Sequence, residues 1–113
     1  MNKQKLAACL MLFSGISHPT QLLIYGTSDP TLVNSSLMGT SFLFVGAMLL
    51  TGRRWALWVG AIQPLIFGIG ACYRIATEDV TPFSYLHTVI DFVVVALCII
   101  ALKSSSEKNS PDV

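Results

Sequence analysis

Charge is what this sequence has least of. Only 12% of its 113 residues are charged, 53% are hydrophobic and the mean hydropathy is +0.66. Soluble domains carry about 25% charge, so the composition is that of a membrane protein. Seven Lys and Arg stand against six Asp and Glu, a net charge of +1. No block of basic residues is available to hold nucleic acid. The three cysteines, Cys9, Cys72 and Cys98, sit singly in different hydrophobic runs. Without a C-x-x-C pair they give neither a metal site nor a disulfide framework, and they read as small packing residues. Ser-His-Asp order, His-Glu-x-x-His and Gly-x-Ser-x-Gly are also missing, which argues against a hydrolytic enzyme.

What is present is four long apolar runs. They predict an all-α integral membrane protein, a four-transmembrane-helix bundle made of two hairpins, with spans at about 6–26, 31–51, 55–76 and 83–102. These make one domain, 1–103, followed by a short polar tail, 104–113, expected to be disordered. Lys3 and Lys5 ahead of the first run, with Gly15-Ile16-Ser17, imitate a secretory signal. Hydrophobicity resumes after His18-Pro19 and continues to Tyr25, which favours an uncleaved span. Asp29-Pro30 and Thr81-Pro82 read as cap and first helical residue.

The loops set an expected orientation. Lys3, Lys5, Arg53, Arg54, Lys103 and Lys108 fall on one side, and Arg74 alone among the basic residues on the other. By the positive-inside rule both termini are cytoplasmic, and the expected location is the bacterial inner membrane. Trp55 and Trp58 then belong to the inner interface; Tyr25, Tyr73 and Tyr85 belong to the outer one.

Gly15-Ile16-Ser17-His18-Pro19 and Gly60-Ala61-Ile62-Gln63-Pro64 share the pattern Gly-x-x-(His/Gln)-Pro. Each proline removes a helical hydrogen bond and crowds the carbonyl of residue i−4. That residue is Gly15 for Pro19 and Gly60 for Pro64, so kinks are expected in the first and third spans.

Polar residues inside apolar runs are costly and mark a site by default. Ser14, His18, Gln21 and Tyr25 share one helical face; Gln63, Phe67, Gly70 and Arg74 share another; Ser84, His87 or Thr88, Asp91 and Cys98 a third. The second span offers small residues, better suited to packing than to chemistry. Counting about 1.5 Å per residue from the outer ends puts His18 and Asp91 at equal depth and His87 about 6 Å nearer the surface. The expectation is an outward-facing pocket of His18, Gln21, Tyr25, Arg74, His87 and Asp91, with Asp91 paired to His18 and approached by Arg74.

Three functions follow from this pattern. The first is binding or transport of a small polar ligand, proton or cation. The second is an accessory or scaffold subunit of a membrane complex, or a homo-oligomer, with no chemistry of its own. The third is a redox protein holding haem b between His18 and His87, or a quinone among His18, Gln21, Tyr25 and Arg74. The first needs no cofactor and none is assigned.

Overall fold

A computed structural model describes residues 2–109. Among them the secondary structure is entirely helical: α1 (Lys3–Tyr25), α2 (Pro30–Gly39), α3 (Ser41–Leu50), α4 (Arg54–Thr77) and α5 (Pro82–Asn109). Four segments are long and apolar enough to cross a membrane: Lys3–Tyr25, Pro30–Leu50, Arg54–Thr77 and Pro82–Ser104.

The turns follow from local chemistry. Asn2 Oδ1 accepts from the Lys5 amide at 2.7 Å, and Asp29 Oδ1 from the Thr31 amide at 3.0 Å, each satisfying an amide that the first helical turn leaves free. Pro30 and Pro82 open α2 and α5, where a missing amide proton costs nothing. Gly26 and Gly52 take φ of 81° and 75°, which a side chain would strain. Gln4 Nε2 donates to the Leu49 and Arg53 carbonyls, tying the start of α1 to the α3–α4 turn.

Two boundaries differ from the sequence reading. The last helix does not end at Leu102 but continues to Asn109, so part of the expected tail is helical; 110–113 lie outside the described residues. The second segment is interrupted at Thr40, whereas α1 and α4 run unbroken through Pro19 and Pro64. The Thr40 amide divides between the Ser36 and Leu37 carbonyls, the Thr40 hydroxyl donates to Ser36 O, and the Ser41 hydroxyl donates to Met38 O. Such back-bonding competes with the helical ladder and tightens or bends it.

The bundle is not packed evenly along its length. Ala7, Ala8 and Met11 of α1 meet Phe42, Val45 and Leu49 of α3, Ala56, Leu57 and Ala61 of α4, and Val94, Cys98 and Leu102 of α5. This core occupies the end that carries Lys3, Lys5, Arg53, Arg54 and Lys103. Alanines and glycines let the helices approach closely there. Gly46 faces Leu12, Gly15 faces Leu43, and Gly60 faces Cys98 and Leu49. Towards the opposite, acidic end α4 stays with α5, α5 with α1 and α1 with α2, while α2 parts from α4.

Gly39 is the tightest of these contacts. A Cβ there would overlap the His18 ring, so His18 occupies the space that the glycine leaves. Gly39→Ala should lower thermal stability by about 1–3 kcal/mol. Combined with His18→Ala, which removes the obstructing ring, the loss should be clearly less than the sum of the two single losses. Additive losses in a double-mutant unfolding cycle would refute the contact.

Candidate ligand cavity

Where the helices separate they enclose a cavity of about 620 Å³, within the range usual for small-molecule sites. Its two sides differ in chemistry. On the α1–α5 side His18, Gln21, Ser84, His87 and Asp91 form a polar wall. On the other side Leu32, Met38 and Phe42 of the second segment face Ile66, Phe67 and Ala71 of α4. The rings of Phe42 and Phe67 stack at 5.1 Å. Asn34, Ser35 and Arg74 lie towards the acidic end. Arg74 bridges α4 to α2 through a 2.6 Å hydrogen bond to Ser35 Oγ and pairs with Glu78 at 3.1 Å.

The polar wall is organised by one carbonyl. His18 Nδ1 lies 2.8 Å from Ser14 O, so this nitrogen carries the proton and donates it. The Ser17 hydroxyl donates to the same carbonyl at 2.9 Å. That hydroxyl has a single proton, so in its 2.6 Å contact with His87 Nε2 it accepts. Proton counting therefore puts the His87 proton on Nε2. The two imidazoles stack face to face, with centroids 3.6 Å apart and planes 10° from parallel, and Phe42 abuts His18 edge-on. With both imidazoles neutral, His18 Nε2 and His87 Nδ1 are bare acceptors, and neither has a partner among the described residues.

One turn below His87, Asp91 is 2% exposed and its Oδ1 has no hydrogen-bond partner. Burying an ionisable group without compensation is among the costlier arrangements a fold can hold. Two neutral atoms, Ser36 Oγ and Gln63 Oε1, also lack partners but lie off the cavity wall, where the cost is smaller.

The expected site residues are distributed as follows. His18, Gln21, Arg74, His87 and Asp91 all line the cavity; Tyr25 does not, and packs instead against Phe83 with ring centroids 6.2 Å apart. The expected pairing of His18 with Asp91 is replaced by the stack of His18 on His87, and Arg74 turns to Ser35 and Glu78 rather than down to Asp91. The reason is register. Thr81 donates to Gln21 Oε1 at 2.8 Å, so the start of α5 is level with Gln21 rather than with Tyr25. That sinks α5 by about one turn, roughly 5 Å, bringing His87 level with His18 and carrying Asp91 below it.

Ser17, Asn34, Ser35, Phe42 and Phe67 were not foreseen as site residues. For Ser17 the signal was available: it is i−4 to Gln21 and i+3 to Ser14. The second segment, expected to suit packing better than chemistry, supplies much of the cavity wall. Among the described residues no group of three or more His, Cys, Asp or Glu side chains is placed to hold a metal ion. No known family, curated protein or solved structure matches the chain, so the functional assignment rests on this geometry.

Ser17→Ala removes the acceptor that fixes the His87 ring. In a double-mutant cycle Ser17→Ala and His87→Ala should couple by about 0.5–3 kcal/mol, more strongly than His18→Ala with Asp91→Asn. Equal coupling in the two cycles, read from thermal unfolding in detergent, would return Asp91 to the position of His18's partner.

Proposed function

We propose that the chain is a polytopic membrane protein that crosses the bilayer four times, and that its cavity binds or transports a small ligand bearing a polar group. The bilayer is supported by the outer faces of the helices. Leu23, Phe44 and Tyr73 are 87%, 71% and 70% exposed, a pattern suited to lipid rather than to water. The basic bias of the α3–α4 turn and both termini supports cytoplasmic ends, so that the cavity faces outward. A reporter fused to the C-terminus and active only in the cytoplasm checks that orientation.

One observation carries the ligand reading: a buried carboxyl without a partner, on the wall of a cavity large enough for an organic molecule. A purely structural aspartate in an apolar bundle would be expected to end on an arginine, a histidine or an amide. Asp91 instead lies among the residues that line the cavity. In this reading Asp91 holds the polar group or exchanges a proton with it, and Gln21 and the imidazoles orient it. Arg74 with Ser35 frames the mouth, while Pro19 and Pro64, each missing an amide donor, let α1 and α4 flex.

The haem alternative loses support from the stack. Axial imidazoles point their nitrogens at a common iron from opposite sides. The His18 and His87 rings instead meet through their faces.

The test is native mass spectrometry of the protein released from its own membrane. Wild type should carry a small non-lipid molecule, and Asp91→Asn, nearly identical in shape, should lose it. Wild type arriving empty but always bound to a second polypeptide would support the scaffold reading instead.

A further inference from the structure

The chemistry of the two cavity walls defines a ligand class, on the reading that the cavity is a ligand site. We propose that the ligand is an amphiphilic organic cation: an ammonium group with N–H donors, seated against Asp91 and the bare imidazole nitrogens, on an apolar body that lies along the Phe42–Phe67 side.

Hydrogen-bond inventory comes first. Asp91 Oδ1, His18 Nε2 and His87 Nδ1 are all acceptors, and none has a donor among the described residues. Donors on this wall come only from the Gln21 amide, whose oxygen is taken by Thr81, and from the Ser84 hydroxyl, which can equally accept. A wall of acceptors calls for a ligand edge of donors, and an aspartate among them calls for positive charge. An ammonium supplies both at once. A carboxylate or phosphate would face Asp91 and two lone pairs. Arg74 does not reverse this preference, because Glu78 and Ser35 already engage its guanidinium.

The facing wall gives the second argument. Phe67, only partly buried, presents aromatic surface on this side, with the fully buried Phe42 ring stacked on it, and an aromatic face attracts a cation. Met38 and Ile66 line the cavity yet are 51% and 61% exposed, so the cavity is open sideways between the second segment and α4. Both flanking side chains are apolar. An apolar body can pass from the hydrocarbon region through that window while its charged head stays on the polar wall. A bare metal cation fits poorly, since no cluster of three candidate metal-binding side chains is present among the described residues.

The test uses the full chain in lipid nanodiscs and three probes of nearly equal shape: phenylbutylammonium, phenylbutanol and phenylbutyrate. Equilibrium dialysis measures each, with empty nanodiscs subtracted. The ammonium should bind at least about tenfold more tightly than the alcohol, the carboxylate weaker still, and Asp91→Asn should abolish the preference. Asp91→Glu should keep it, which separates loss of charge from loss of fold. Arg74→Gln, which leaves Glu78 unpaired at the mouth, should tighten the ammonium. If the alcohol or the carboxylate binds as well as the ammonium, or the preference survives Asp91→Asn, the ligand class is wrong and the cavity still stands as a binding site. If none of the probes binds and none shields a cysteine placed at Ala71 from maleimide (with Cys9, Cys72 and Cys98 replaced), both the class and the ligand-site reading fall.

Discussion

The carbonyl oxygen of Ser14 receives the Nδ1 proton of His18 and the hydroxyl proton of Ser17, and the orientation of both imidazoles follows. With its own proton committed, Ser17 accepts from His87, which turns the other nitrogen of that ring away from α1. The stack at 3.6 Å then holds each ring against the other. Each ring spends one nitrogen on the protein and keeps one free. Ser14, Ser17 and His18 thus leave one free acceptor on each of two helices, on residues that line the same cavity as Asp91.

That arrangement needs room, and the uneven packing of the bundle provides it. At the basic end small side chains draw the helices together: Ala7, Ala8, Ala56 and Ala61, with Gly46 and Gly60 at crossings. Towards the acidic end the second segment loses its regular ladder at Thr40, next to the glycine that gives way to His18. Beyond that point α2 follows α1 and leaves α4. The cavity occupies the resulting gap, with Arg74 and Ser35 joined across its acidic end. Close packing stabilises one half of the molecule and leaves a cavity in the other.

Much of this could be read from the residues. Four apolar runs of span length, the caps at Asp29 and the prolines at 30 and 82 define the elements, because helix periodicity and turn chemistry are local. His18, Gln21, Arg74, His87 and Asp91 stood out because polar groups in apolar runs are costly, and all five line one cavity. The pairing among them could not be read. It depends on the level at which α5 starts, set by the Thr81–Gln21 hydrogen bond across sixty positions of sequence. Depth counted from helix ends assumes level ends, and here the end of α1 projects about a turn beyond the start of α5. The interruption at Thr40 was hidden for a related reason. Proline is the visible helix breaker, while the competition between serine and threonine hydroxyls and the ladder is decided by the neighbouring helix. Phe67 looks like an ordinary core residue in sequence, and only the separation of α2 from α4 puts it on a cavity wall, whereas Phe42 of α3 borders the cavity while staying in the core.

His18 and His87, each with a bare imidazole nitrogen, and Asp91, with an unpartnered carboxyl oxygen, line the same cavity. This arrangement is tested most directly by nuclear magnetic resonance of the chain with isotope-labelled histidine, in nanodiscs at neutral pH, with the two rings assigned through single His→Gln variants. The account predicts two different neutral tautomers: His18 carrying its proton on Nδ1 and His87 carrying its proton on Nε2. A His18 protonated on Nε2 and hydrogen-bonded to Asp91 would contradict it, since the carboxyl would then have its partner inside the protein and the cavity would lose its reason to hold a ligand.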